Sequence, residues 1–316
     1  MVTFKDILAA RQHVYRHLRP TPLTFYPGLS ALLDAEVYVK HENHQPVGAF
    51  KVRGGVNLAA HLSEAERAAG LATASTGNHG QSIAFAGKVT GTRTIVAMPE
   101  RPNPGKAAAI RALGAEVVEH GPDFDTARLW IQERAEREGM RYVGPTDEHL
   151  IAGVGTYALE IVEELPEVEA ILVPVGGGSG ACGCCLVAAT VNPAIEVIGC
   201  QASGAPAQYL AWRGEYRGDA PMRTFCEGVA TRVPFENTQA ILQEHLSDFI
   251  LADDAEVYTA IVTLLEHTHN LAEGAGALPL AAALKIRDRL AGKKVVLVMS
   301  GGNLSLDQLQ QALNTV

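Results

Sequence analysis

Short apolar runs alternate along this chain with longer segments in which apolar residues recur every three to four positions. The runs Glu36–Lys40, Leu71–Ser75, Thr94–Met98, Glu116–Glu119, Ala170–Val175, Glu196–Cys200 and Lys294–Met299 are strand-length. Several are apolar throughout, as parallel strands covered on both faces are. Helical spacing marks Phe50–His61, Asn78–Thr90, Pro104–Leu113, Thr126–Glu138, Gly153–Leu165, Gly180–Thr190, Asp254–His267 and Gly276–Leu290. Ser63-Glu64-Ala65-Glu66 reads as a capping box, and Asn103-Pro104 places a cap residue before a proline at the first helical position. The alternation of strand and helix predicts an α/β fold of two doubly wound domains with mainly parallel sheets. The strand–helix units between Glu64 and Tyr142 predict a smaller sheet inserted into a larger one. The expected division is a large domain of residues 1–63 and 148–316 and a small domain of residues 64–147. Ligands of such sheets sit outside the carboxyl ends of the strands, so chemistry is expected at strand-to-helix junctions.

Composition narrows the function classes. The 316 residues are 47 % hydrophobic and 19 % charged, which excludes a largely disordered chain. With 26 Lys plus Arg against 35 Asp plus Glu, the net charge of −9 argues against a protein that coats nucleic acid. No apolar run approaches the roughly 20 residues a bilayer requires, and the N-terminal segment lacks the apolar stretch of a signal peptide. Three of the five cysteines crowd into Cys182–Cys185, which is not the spacing of a disulfide framework. A cytoplasmic protein with reduced thiols, without membrane or nucleic-acid partners, is expected.

Four junctions carry polar chemistry. In Ala49-Phe50-Lys51-Val52 a lysine stands at a helix start, where the helix dipole disfavours a second cation. Lys51 is therefore either a neutral amine nucleophile or a surface lysine with its stem along an apolar face. Ser75-Thr76-Gly77-Asn78-His79-Gly80 offers hydroxyls and backbone N–H groups suited to a carboxylate or phosphate, with simple helix capping by Ser75 or Asn78 as the alternative. Gly176-Gly177-Gly178-Ser179-Gly180 follows an apolar strand and permits close backbone approach to a phosphate. Gly178 to Gly183 also fits the dinucleotide fingerprint GxGxxG. The acid that fingerprint wants after the next strand is replaced by Gln201, which lowers the nucleotide reading. Ser300-Gly301-Gly302-Asn303 places a hydroxyl and two glycines where a flat ligand fits. Cys182 and Cys185 have CxxC spacing without a second pair and read as packing thiols. His267 and His269 point to different helix faces and make poor joint ligands.

Taken in order, these junctions resemble the fold-type II pyridoxal-phosphate enzymes, in their serine/threonine dehydratase and serine racemase group. The resemblance runs from Arg19-Pro20-Thr21-Pro22-Leu23 to Ser300-Gly301-Gly302-Asn303. It implies pyridoxal 5'-phosphate in the cleft between the domains, with Lys51 as the catalytic Schiff-base lysine beside Phe50. It implies Asn78 at the ring 3'-oxygen, Gly176, Gly177, Gly178, Ser179 and Gly180 on the phosphate, and Ser300 at the ring nitrogen. Glu273, in the family-like segment Ala272-Glu273-Gly274-Ala275-Gly276, joins the cofactor site. Ser75, Thr76, Gly77 and His79 are implied to bind the substrate carboxylate. Thr76 also stands where racemases carry their second acid/base, a Ser hydroxyl.

The implied activity is a dehydratase, or ammonia-lyase: β-elimination from L-threonine, L-serine or a related 3-hydroxy amino acid to a 2-oxo acid and ammonia, by a homo-oligomer, expected as a dimer. An amino-acid racemase, a β-replacement enzyme and a non-catalytic protein that keeps the fold are the alternatives. Departures from the family pattern are Ala49, Thr76, Ser179 and Glu227 of Cys226-Glu227-Gly228. The position where racemase-like members hold a divalent metal with a Glu is Gln201, so no metal is expected. A regulatory C-terminal domain, and feedback through it, is not expected either.

Overall fold

The computed structural model describes residues 1–315. Its strands are β1 (Leu23–Phe25), β2 (Glu36–His41), β3 (Leu71–Ala74), β4 (Thr94–Met98), β5 (Glu116–Glu119), β6 (Arg141–Tyr142), β7 (Ala170–Pro174), β8 (Glu196–Ala202), β9 (Asp248–Ala252) and β10 (Lys294–Met299). They form a six-stranded sheet in the order β1-β2-β10-β7-β8-β9 and a four-stranded sheet in the order β5-β4-β3-β6. All neighbours are parallel except β1, which lies antiparallel on β2. The chain leaves the larger sheet after β2, builds the smaller one, and returns at β7. The fold is thus the expected mixed α/β architecture of two mainly parallel sheets.

The continuous apolar runs occupy the expected places. Every residue of β4 and β7 is buried, because helices cover both faces. The larger sheet is packed on one face by a cluster that includes Leu29, Val257 and Leu278, and on the other by one that includes Ile7, Tyr157 and Val187. Helix boundaries follow the periodicity closely at Asn78–Thr90, Pro104–Ala112 and Asp254–Thr268.

Two expected helices are divided. The segment read as Gly153–Leu165 is a helix Glu148–Val154 followed by a second, Thr156–Glu164. At the joint, a Cβ on Gly155 would lie 2.7 Å from Ile7 Cδ1 and one on Gly183 would lie 2.6 Å from Gly155 Cα. The last glycine of the apparent dinucleotide fingerprint is therefore a helix-crossing residue. The segment Gly276–Leu290 begins earlier, at Gly274, and breaks at Ile286.

Candidate active site

One cavity of about 1000 Å³ opens between the carboxyl ends of the two sheets. Phe50, Lys51, Ser75, Thr76, Gly77, Asn78, His79, Gly176, Gly177, Gly178, Ser179, Gly180, Glu273 and Ser300 all lie on its wall. The structure thus brings together every site residue expected from the sequence.

Two helices begin at this cavity directly after a glycine and without a side-chain cap. Asn78–Thr90 starts after Gly77, and Ser179–Val191 starts after Gly178, whose φ is 95°. By contrast, Asn103, Asp123 and Asp253 cap their helix starts with their own side chains. Uncapped first-turn N–H groups with the positive end of the helix dipole make an anion site, and here two such sites share one cavity. Ser75 Oγ accepts from the Gly77 backbone N–H at 3.2 Å, so Ser75 shapes the turn without capping the helix. A Cβ on Gly77 would meet no protein atom within 4 Å, so packing does not demand glycine there. At Gly176, by contrast, a Cβ would sit 2.3 Å from the Gly228 carbonyl oxygen, so the phosphate-type loop is held against the backbone of the Gly228 segment.

Lys51 opens the helix Lys51–Ala60, and its Nζ donates to Ser179 Oγ at 3.0 Å. Burial in the cleft pushes its ammonium down to about 8. The direction is the one expected from sequence, but the cause is desolvation rather than the helix end. Ser82 Oγ donates to the Lys51 carbonyl at 2.6 Å and ties this helix to the one beginning at Asn78. Ser300 directly follows β10 and is buried.

His79 Nε2 lies 3.1 Å from the Val143 carbonyl, which can only accept, so Nε2 carries the hydrogen. Burial, aided by the Lys51 charge, pushes this imidazole down to about 4, and its Nδ1 is buried without a partner. Glu273 has its carboxyl pushed up to about 7 by burial, against the opposing effect of a 2.6 Å hydrogen bond from Asn78 Nδ2.

Several residues sit differently from the sequence reading. Of Pro145-Thr146-Asp147-Glu148-His149, only Pro145 and Thr146 reach the cavity. Asp147 caps the next helix through the His149 N–H at 2.9 Å and pairs with Arg141 at 2.6 Å. Gln201 is buried, its Nε2 donating to the Val229 carbonyl at 3.3 Å and its Oε1 accepting from the Tyr209 N–H at 3.1 Å. Among the described residues no group of three His, Cys, Asp or Glu side chains is placed to hold a metal. The five cysteines are free and buried, and burial pushes the Cys184 and Cys226 thiols up to about 12. Among the described residues no helix is long and apolar enough to cross a membrane.

Sequence reasoning assigned no role to two wall residues that bridge the cleft. Lys106, on the helix after β4, forms an ion pair with Glu227 from the other side, and Asn303 donates to Asn78. Glu227 is half exposed, so the pair contributes only about 0.2–1 kcal/mol. Lys106→Glu is expected to lower kcat/KM about two- to fivefold, and adding Glu227→Lys to restore most of it. Steady-state kinetics of the two variants check this. Failure of the swapped pair to recover would mean that the charges act separately.

The residues present fit pyridoxal phosphate: an amine of lowered basicity, a glycine cradle at an uncapped helix start for a phosphate, a second anion site for a carboxylate, and Asn78 and Ser300 for a polar ring. Comparison with known proteins agrees. The family model described as pyridoxal-phosphate dependent enzyme matches residues 14–301. An L-threonine ammonia-lyase from Thermotoga maritima is 37 % identical over 99 % of this chain and 79 % of its own length. A catabolic L-threonine dehydratase from Staphylococcus aureus is 36 % identical over 98 % of this chain and 91 % of its own. Among solved structures, the processed form of threonine deaminase isoform 2 from Solanum lycopersicum superposes with a TM-score of 0.94 at 32 % identity, covering 99 % of this chain and 92 % of that one. Serine racemase from Dictyostelium discoideum gives 0.90 at 32 % identity, covering 96 % and 99 %. The cofactor is pyridoxal phosphate, and the chain belongs to the pyridoxal-phosphate-dependent enzymes of fold type II, in their serine and threonine dehydratase group.

Proposed function

We propose that the protein is an ammonia-lyase that takes L-threonine, L-serine or a related 3-hydroxy amino acid to a 2-oxo acid and ammonia. The observation that carries this is the pair of glycine-led, uncapped helix starts at Asn78 and Ser179 facing one cavity with the Lys51 amine on its wall. One start suits the cofactor phosphate, the other the substrate carboxylate. The relatives named threonine ammonia-lyase and threonine dehydratase support the same choice of substrate.

Pyridoxal phosphate, when bound, supplies an aldehyde for amines and an electron-withdrawing ring that stabilises charge released at Cα. Gly176–Gly180 would hold its phosphate, Asn78 its ring oxygen and Ser300 its ring nitrogen. Lys51 Nζ is the base for the α-proton, and its lowered basicity keeps a useful fraction neutral near pH 8. Ser179 Oγ orients that nitrogen from 3.0 Å. The turn Ser75–His79 binds the carboxylate through backbone N–H groups and the Thr76 hydroxyl. Neutral His79 adds no second cation beside Lys51. The β-hydroxyl takes up a proton and leaves as water, and hydrolysis of the enamine product consumes one water and releases the 2-oxo acid and ammonia.

A panel of 3-hydroxy amino acids, scored for 2-oxo acid release, tests the reading. L-Threonine and L-serine are expected to turn over; racemisation without any 2-oxo acid would overturn it. Thr76→Ala separates the two chemistries further. For a lyase it lowers kcat/KM by the worth of a hydrogen bond to a charged group, roughly 1.5–3 kcal/mol, with elimination continuing. For a racemase it abolishes α-proton exchange from the D-enantiomer and spares elimination of the L-enantiomer. Proton exchange in deuterated solvent reads both. We further propose that residues 1–63 with 148–316 and residues 64–147 behave as two domains, and that the enzyme is a cytoplasmic homodimer. Five buried free thiols favour a reducing compartment, and sedimentation equilibrium measures the assembly.

A further inference from the structure

The Asn78 amide is engaged on two sides by protein. Its Oδ1 accepts from Asn303 Nδ2 at 2.8 Å, and its Nδ2 donates to Glu273 Oε1 at 2.6 Å. An amide oxygen only accepts and an amide nitrogen only donates, so these two bonds define one orientation of the Asn78 side chain.

What enforces that orientation is Asn303 rather than Glu273. Asn303 Nδ2 has two hydrogens, and the second goes to the Val47 backbone carbonyl at 2.8 Å. A carbonyl cannot donate, so Asn303 cannot reverse its amide without losing this bond, and it must present N–H to Asn78. Its position is fixed too. The Gly302 N–H donates to the Gly48 carbonyl at 2.9 Å, and a Cβ on Gly48, where φ is 68°, would lie 2.7 Å from Asn303 Oδ1. Glu273 is a weaker guide. With its carboxyl pushed up to about 7, a substantial fraction is protonated near neutrality, and a protonated carboxyl both donates and accepts. It tolerates either face of the Asn78 amide, whereas the Val47–Asn303 pair has the same polarity at every pH.

We propose that Asn303 is a positioning residue for the cofactor, fixing the Asn78 amide so that it presents an N–H, and not its carbonyl, to the ring oxygen of pyridoxal phosphate. The proposal rests on the reading of Asn78 as the ring-oxygen contact. The arithmetic of donors supports it: of the two Nδ2 hydrogens of Asn78, one is spent on Glu273 and one remains. With Asn303 absent, Asn78 is free to turn its oxygen toward the ring oxygen, where two acceptors repel.

The test measures the pyridoxal phosphate dissociation constant and the visible absorbance of the full-length enzyme for wild type, Asn78→Ala, Asn303→Ala, Asn303→Asp and the double variant Asn78→Ala/Asn303→Ala. Asn303→Ala is expected to weaken cofactor binding about tenfold, the worth of one well-placed hydrogen bond, and to change the position or intensity of the visible band. Asn303→Asp should weaken it more, because a carboxylate only accepts and draws the Asn78 N–H toward itself. The double variant should bind no worse than Asn78→Ala alone, since Asn303 then has nothing to orient; a merely structural role would make the two losses additive. Additive losses, or wild-type affinity and spectrum in Asn303→Ala, overturn the proposal while leaving Asn78 as the ring contact. Wild-type affinity and spectrum in Asn78→Ala overturn the reading of Asn78 and the proposal with it.

Discussion

Lys51→Ala is expected to remove the visible absorbance of bound pyridoxal phosphate and to reduce 2-oxo acid release to background, while the protein stays folded. The side chain makes one polar contact, to Ser179 Oγ, and that hydroxyl lies on the wall of a cavity that water reaches. The helix it opens keeps its attachment, because Ser82 donates to the backbone carbonyl of residue 51 and not to the side chain. Unfolding midpoints of the variant without cofactor should therefore lie close to those of the wild type. The lowered basicity of Lys51 adds a pH signature. Capture of pyridoxal phosphate by the cofactor-free enzyme needs the neutral amine, so its rate should rise with pH and level off above about 8. Wild-type turnover in Lys51→Ala would remove Lys51 from the chemistry. A wild-type enzyme that binds the cofactor but releases no 2-oxo acid from any 3-hydroxy amino acid would point to the non-catalytic alternative.

The parts of the site legible in the sequence are those whose chemistry is local. The Ser75–His79 turn, Gly176–Gly180 and Ser300 each stand at the end of an apolar strand, and Lys51 opens the α-helix that follows β2. Glycine and hydroxyl residues there have few other uses. The parts that were not legible depend on partners far apart in the chain. Asn303 reaches Asn78 across 225 positions and Lys106 reaches Glu227 across 121, and no local pattern links them. The same division holds for the fold. The buried central strands announced themselves, whereas β1, three residues at a sheet edge, and β6, two residues, are too short to carry a period. The need for glycine at position 155 was invisible because the neighbour that a side chain would meet is Ile7, nearly 150 positions earlier. Lys51 is the instructive intermediate case: its lowered basicity was anticipated from the helix start, while the cleft that buries it exists only after folding.

Arg53→Met is expected to lower the free energy of unfolding by about 3–5 kcal/mol, the effect of leaving a buried charge without its partner. Arg53 lies two residues beyond Lys51 on the same helix and is fully buried. Its Nε and Nη2 donate to Glu42 at 2.7 and 2.8 Å, and its Nη1 and Nη2 to Glu160 at 2.6 and 2.9 Å. Lys40, also buried, pairs with Glu160 at 2.7 Å. Two cations and two carboxylates therefore balance inside the protein. Burial alone would push the Glu160 carboxyl up, and Arg53 holds it below the usual carboxylate range instead. That stabilisation is present above the ordinary carboxylate pKa and is lost as pH falls through the lowered one. In Arg53→Met, Glu160 keeps Lys40, but the fully buried Glu42 keeps only the Thr21 hydroxyl, 2.5 Å away. A cavity effect would be independent of pH. An uncompensated carboxylate is relieved by protonation, so the loss of stability should be largest near pH 8 and smaller near pH 5. Urea unfolding at the two pH values reads the difference. The network joins β2, the Lys51 helix and the helix Thr156–Glu164, so Arg53→Met should also weaken cofactor binding by letting the start of the Lys51 helix shift. A loss below about 1 kcal/mol, equal at both pH values, would mean that the ion network is not what anchors the catalytic helix.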